Sequence, residues 1–342
     1  MRIAIVTDAW SPQVNGVVRT LQSVTAELRA MDHEVSVLSP DLFASIPCPS
    51  YPEIRLALPA PGAVGRALSG FGPDAVHIAT EGPLGLLARR WCLSRGLPFT
   101  TAYHTQFPDY VAARVKAVSP EFVWRYVRWF HAPSTAILAS TPSVAATLAA
   151  HGLPQNRHWG RGVDTMLFRA DGPRDATVAG LPGPVQLYAG RVAVEKNIAT
   201  FLATHTPGTK VVVGDGPARA ALAEQYPEVH FLGAKFGEDL AAIYRAADVF
   251  VFPSRTDTFG LVMIEALACG TPVAALPVQG PLDVLSPDVG VMDEALDHAI
   301  AAALTLDRGA CAAYGQGFSW RASAEQFLSA LAPIDRNLRA AA

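Results

Sequence analysis

Charge is scarce in this sequence: Asp, Glu, Lys and Arg make up only 17% of its 342 residues, while half are hydrophobic. That balance excludes a disordered chain, which needs low hydrophobicity and high charge. Cysteine is rarer still. Cys48, Cys92, Cys269 and Cys311 form no CxxC pair. Neither a disulfide framework nor a zinc site is expected, and the thiols read as buried groups in a reducing compartment. Long hydrophobic runs are missing too, since no stretch approaches the roughly 18 consecutive apolar residues of a membrane span. The opening "MRIAIVTDAW" is too short an apolar run for a secretory signal and reads as a first strand. A cytoplasmic protein is expected, free to lie on the inner face of a membrane. There is no short-period repeat, no low-complexity tract, and no convincing DxD pair or histidine cluster for a catalytic metal. No nucleic-acid partner is expected.

The length suits two domains of ordinary size. Short apolar runs such as "RIAIVTD", "EVSVLSP", "AVHIAT", "PFTTAYH" and "AILAST" alternate with helical segments in the first half. "VQLYAG", "KVVVGDG", "VHFLG", "VFVFPS" and "PVAAL" repeat the pattern in the second. This alternation predicts α/β architecture with two doubly wound, mostly parallel sheets facing a cleft. The break is expected in the Gly-, Pro- and charge-rich stretch 169–184, which makes 1–170 one domain and 171–319 the other. The net charge of −3 is unevenly split, with 15 Lys plus Arg against 11 Asp plus Glu in residues 1–170. Residues 55–131 carry 9 basic to 4 acidic side chains, a local basic excess.

Ligands of open parallel sheets bind outside the carboxyl ends of the strands, so motifs that follow strands carry the functional reading. After the first strand, Gly16 opens an amphipathic helix and leaves room for an anion at its amides; the ordinary alternative is a plain βα turn. In "YAGRVAVEKN", Gly190 precedes Arg191 and Lys196, two cations able to reach one pyrophosphate. "VVVGDGPARAAL" places Gly214 and Gly216 in a turn that reads as a wall of the same site. In "PSRTDTFGLVMIEALACGTP", Asp257 precedes a helix that starts near Phe259 or Gly260, and Glu265 lies within it. The free amides of Gly260, Leu261 and Val262 suit a phosphate, and the two carboxylates suit hydroxyl groups beside it. A nucleotide sugar supplies both. His104 follows the strand "PFTTAYH" and is a candidate contact from the first domain. The aromatic and basic segment 111–131, with Phe122, Trp124, Arg125, Tyr126, Arg128, Trp129 and Phe130, reads either as a lipid-interface element or as a core helix with a basic face.

These motifs together, with "PQVNGVVRTL", "YHTQFPDY", "GRGVDTMLF" and "FSWRASAEQF", resemble the retaining glycosyltransferases of family 4 with the GT-B fold of two Rossmann-like domains. The likeness spans nearly the whole chain. It is nearest to the branch that glycosylates membrane lipids: sulfoquinovosyl, glucosyl and glucuronosyl diacylglycerol synthases and lipid mannosyltransferases. The resemblance implies that Arg191 and Lys196 hold the donor diphosphate and that Gly16 lets the first domain approach it. It implies that Glu265 accepts from the ribose, and that Asp257, the amides after Phe259, and His104 contact the sugar. It places the final helix, 320–342, back on the acceptor-binding first domain. It implies no metal or other cofactor, a nucleotide-sugar donor such as UDP-glucose or UDP-glucuronate, and a lipid acceptor such as diacylglycerol or ceramide. A soluble or polyisoprenoid-linked acceptor with GDP-mannose, or a non-catalytic nucleotide-sugar binder, are the competing readings. The family carries Glu at the first acid of this E-x7-E pattern, where this chain has Asp257.

Overall fold

The computed structural model describes residues 1–13, 15–48, 51–104 and 119–335, without the side chains of 48 and 51–54. The chain forms two compact units, Met1–Gly160 with the segment from Trp320 onward, and Arg161–Ser319. The crossing lies ten residues ahead of the expected boundary. Local contacts explain the shift. The Gly160 amide donates to Gln326 Oε1 at 2.7 Å and its carbonyl accepts from Ser323 Oγ at 2.8 Å, both on the helix Trp320–Ala330 of the first unit. Immediately afterwards Val163 bridges Ser319, and Phe168 is buried in the second core. The Pro- and Gly-rich stretch that suggested a linker therefore belongs to the second unit.

In the first unit β1 (Arg2–Val6), β2 (Glu34–Leu38), β5 (Ala75–Ile78), β6 (Thr100–Tyr103), β7 (Ala136–Ala139) and β8 (Asn156–His158) form a parallel sheet in the order β2-β1-β5-β6-β7-β8, beside an antiparallel hairpin of β3 (Ser45–Cys48) and β4 (Tyr51–Ala57). Residues alternate between the faces, as the pleat requires. Ile3 and Ile5 pack with Leu21 of the helix Gly16–Ala30 and with Phe327, while Ala4 and Val6 pack with Leu68 and Leu84 beneath the helices Ala63–Phe71 and Pro83–Ser94. Because both faces are covered, β1 reads as a continuous apolar run.

The second unit repeats the plan with β9 (Val185–Ala189), β10 (Thr209–Val213), β11 (His230–Gly233), β12 (Val249–Phe252), β13 (Val273–Ala275) and β14 (Gly290–Met292), in the order β11-β10-β9-β12-β13-β14, all parallel. Leu187, Val211 and Phe250 bury one face against Tyr244 and Met263; Tyr188, Val212 and Val251 bury the other against Phe201 and Ile300. Each sheet thus reverses its winding once, between β1 and β5 in the first unit and between β9 and β12 in the second. Such switch points open a crevice where the flanking loops diverge.

The helix Pro120–His131 divides the aromatic segment. Trp124 and Phe130 are core residues, with Trp124 stacked on His151 at 3.7 Å between ring centroids. Only Phe122 and Trp129 are broadly exposed, at 60% and 52%, beneath the guanidinium groups of Arg125 and Arg89 respectively. Of the two readings of this segment, the core-helix one holds for Trp124 and Phe130, because a helix of period 3.6 in which aromatics follow one another almost without break must turn some inward. Residues 111–118 of that segment lie outside the described residues. Among the described residues no helix is long and apolar enough to cross a membrane. Cys92, Cys269 and Cys311 are buried and free of disulfides.

Candidate active site

At the switch point of the second unit, the loop after β9 meets the loop after β12. Lys196 ends a single 3-10 turn, Val194–Lys196, and its Nζ lies 2.5 Å from Asp257 Oδ1. Both side chains remain about a quarter exposed, at 25% and 24%. Burial alone would raise the Asp257 carboxyl, yet the Lys196 ammonium beside it holds it below the usual carboxylate range. Asn197 fixes the meeting. It adopts the left-handed conformation at φ 55°, donates from Nδ2 to the Pro253 carbonyl at 3.0 Å just beyond β12, and accepts from Thr200 at 2.7 Å. Beneath it the Tyr188 hydroxyl donates to the Arg191 carbonyl at 2.8 Å. Burial first, then the charges of Asp257 and Glu195, hold that phenol well above its usual range. Arg191 is half-buried in the same loop.

The glycines of this region are explained by packing. A Cβ on Gly214 would fall 1.8 Å from the Gly190 carbonyl oxygen, and one on Gly216 2.4 Å from that of Val192. The loops after β9 and β10 are zipped by backbone bonds, Gly190 to Val213 at 2.9 Å and Val192 to Asp215 at 2.9 Å, so no side chain fits between them. Gly260 differs. It caps the helix Leu261–Ala268 at φ 83° with no side-chain cap, which leaves the amides at that helix start to an external acceptor. Phe259 is a packing residue, edge-on to Phe318, and Leu261 and Val262 lean on the same core.

The two acids of the motif have different surroundings. Asp257 stands on the loop with Lys196, whereas Glu265 is only 3% exposed and accepts from the Tyr244 hydroxyl at 3.2 Å. In the first unit, the Asn15 side chain caps the helix that begins at Gly16, accepting from Val17 and Val18 at 3.0 Å each. The anion role expected of that helix start therefore competes with an internal cap. His104 follows β6 as expected and meets Trp159 edge-on at 5.4 Å; the rest of "YHTQFPDY" lies outside the described residues. Among the described residues no group of three or more His, Cys, Asp or Glu is gathered to hold a metal ion.

The profile described as Glycosyltransferase Family 4 matches residues 14–167, and that described as Glycosyl transferases group 1 matches 183–306. The chain is 32% identical to a GDP-mannose-dependent alpha-mannosyltransferase of Mycobacterium tuberculosis, over 88% of this chain and 87% of that protein. It belongs to glycosyltransferase family 4. The Sulfoquinovosyl transferase SQD2 of Arabidopsis thaliana is 30% identical over 80% of this chain and 59% of its own length. A solved sucrose-phosphate synthase from Thermosynechococcus elongatus superimposes with a TM-score of 0.77 at 24% identity, covering 96% of this chain and 97% of its own, which shows a common GT-B fold. This family 4 enzyme is accordingly a hexosyltransferase. Of its sequence-predicted residues, the fold gathers Gly190, Arg191, Lys196, Asp257 and Gly260 on the loops after β9 and β12, with Gly214 and Gly216 as their packing partners. Three neighbours escaped sequence reasoning. Asn197 sits inside "VEKN", but nothing local shows that it reaches Pro253. Tyr244 is 21 positions from the acid it serves. Gly280 is recognisable only from its backing of the Asp257 carbonyl, 2.8 Å from where its Cβ would stand.

Proposed function

We propose that this transferase moves a hexosyl group, with retention at the anomeric carbon, from a nucleoside diphosphate sugar to the hydroxyl of a membrane lipid. The observation that carries the donor side is the Lys196–Asp257 pair at the β9–β12 switch point, beside the helix start at Gly260 that has no side-chain cap. Lys196 and Arg191 offer positive charge to the leaving diphosphate, and the amides of Leu261 and Val262 offer donors to its oxygens. Preorganised groups of this kind supply the largest part of the stabilisation in such a transfer. Asp257, held by Lys196, accepts from a sugar hydroxyl. Glu265 serves the ribose, with Tyr244 holding its carboxylate. The reading requires no metal or other cofactor, since the charge of the leaving group is met by the two cations and the amides.

For the donor, GDP-mannose is the first reading, because the relative that aligns along most of both chains carries that name. UDP-glucose or UDP-glucuronate, expected from the sequence, stands second; its glucosyl part is supported by the 27% identity to an alpha-monoglucosyldiacylglycerol synthase of Streptococcus pneumoniae. The lipid acceptor and a peripheral seat on the inner face of the membrane are supported by the exposed pairs Phe122–Arg125 and Trp129–Arg89, apolar rings capped by cations. Incubation with a panel of GDP- and UDP-hexoses and a total lipid extract, read by mass spectrometry, tests the proposal. One donor should yield a hexosylated lipid, and Lys196→Ala should slow its formation by about 10²- to 10³-fold. Products formed only on soluble saccharides would overturn the lipid acceptor.

A further inference from the structure

The first unit builds a carboxylate site at its own switch point, where the loops after β1 and β5 separate. Asp8, after β1, is consumed internally: Oδ1 accepts from the Leu84 amide at 2.8 Å, and Oδ2 from Thr80 Oγ1 at 2.9 Å and the Gly85 amide at 3.3 Å. It ties the two strand ends together and so fixes the turn that carries Glu81. Glu81 is arranged differently. Its carbonyl accepts from the Tyr126 hydroxyl at 2.5 Å, its Oε1 lies 3.1 Å from His131 Nε2, and its side chain is 22% exposed. Oε2 has no hydrogen-bond partner among the described residues.

The donors behind Glu81 can be assigned one by one. Ser134 Oγ donates to the His131 carbonyl at 2.7 Å, because a carbonyl only accepts. Ser134 has no second hydrogen, so Thr101 Oγ1 must donate to it across 3.2 Å. Thr101 is then an acceptor for His131 Nδ1–H at 2.8 Å. One proton consequently lies between His131 Nε2 and Glu81 Oε1, and the fully buried imidazole holds the carboxylate in one orientation. A chain of four side chains, three of them buried, thus holds Glu81 just beyond the carboxyl end of β5 with Oε2 unengaged among the described residues.

We infer that Glu81 receives the acceptor: Oε2 accepts the hydrogen bond of the hydroxyl to be glycosylated, and His131 is the positioning residue that holds Glu81 for it. The inference rests on the transfer reading above, in which the residues holding the donor diphosphate all belong to the second unit. An oxygen that only accepts selects a group that donates, such as a hydroxyl, over an ionised phosphate oxygen. The acceptor is therefore an uncharged polyol or glycerol hydroxyl at its reacting end.

The test uses 1,2-dioctanoylglycerol and methyl α-D-mannopyranoside as acceptor probes, with steady-state kinetics for the acceptor and calorimetric Kd for the donor. Glu81→Ala should lower acceptor kcat/KM by about 10- to 100-fold while donor Kd stays within about twofold. His131→Leu should weaken acceptor use similarly, and His131→Gln, which restores a donor toward Glu81, should recover part of it. The Glu81 variants, at a partly exposed position, keep the test decisive if a His131 variant fails to fold. Unchanged acceptor kinetics in Glu81→Ala, or donor Kd weakening in step with transfer, would overturn the assignment. Wild-type protein that transfers no hexose from any donor would sink the transfer reading itself, whereas wild-type transfer indifferent to Glu81 sinks only this inference.

Discussion

Lys196 and Asp257, 61 residues apart in sequence, meet at 2.5 Å across the point where the second sheet reverses its winding. On the proposed reading one loop supplies charge and the other hydroxyl recognition, and the ion pair lets each side chain orient its opposite. Lys196→Ala should cost about 10²- to 10³-fold in kcat, the range for losing one preorganised charge contact. Asp257→Asn should cost less. The double variant should be scarcely worse than Lys196→Ala, because residues that act as a unit are not additive. Full additivity in a double-mutant cycle would show that the pair is merely a surface contact.

Asn197 supplies the geometry of that meeting, and the two ways of replacing it separate its duties. Asn197→Gly keeps the left-handed backbone at φ 55° but loses the bond to Pro253, whereas Asn197→Ala loses both. A non-glycine residue forced into that region costs about 1–3 kcal/mol. Both variants should weaken transfer through a misplaced Lys196, and only Asn197→Ala should also lower the denaturation midpoint by a large margin. Equal stability in the two variants would refute the backbone part of this account.

His77 predicts acid sensitivity in the first unit. Burial pushes its imidazole from the ordinary 6.5 down to about 3. Between those values the unfolded chain binds a proton that the folded chain does not, so stability falls as pH drops through that window and is unaffected above it. The slope is about 1.4 kcal/mol per pH unit. Denaturant unfolding at pH 7, 5 and 4 should show little dependence near pH 7 and approach this slope between 5 and 4 in the wild type, with a smaller one in His77→Gln.

Trp124 and Trp129, five positions apart on one helix, should respond oppositely to two assays. Trp124 is buried and stacked, so Trp124→Ala should destabilise by about 3–5 kcal/mol. Trp129→Ala and Arg125→Ala should leave folding nearly unchanged and reduce sedimentation with anionic vesicles. Vesicle binding that ignores both outward substitutions would remove this helix from the membrane argument.

Much of this architecture can be read from the sequence because buried parallel strands announce themselves as apolar runs. The strands from "RIAIVTD" to "PVAAL" are recovered as β1, β2, β5, β6, β7 and β9 to β13. The exceptions lie at sheet edges or outside the main sheets. β8 and β14 have three residues each, β8 is polar and largely exposed, and the β3–β4 hairpin breaks the alternation of strand and helix. The candidate site divides in the same way. Cations and acids that follow strands are visible because chemistry and position coincide in a few residues. Asn197, Tyr244 and the Glu81–His131 relay are not, because their meaning depends on partners 21 to 56 residues away, brought close only by the order of strands.

The return of the helix Trp320–Ala330 to the first unit has a consequence for synthesis on the ribosome. Ile3, Ile5 and Leu21 are made first, yet the surface they share is not closed until Phe327 is added. The whole second unit, Arg161–Ser319, is translated in the interval, which at about 5–20 residues per second lasts roughly 10 to 30 seconds. The unit that begins first is completed last, with an apolar sheet face waiting for its cover while its neighbour is already free to fold.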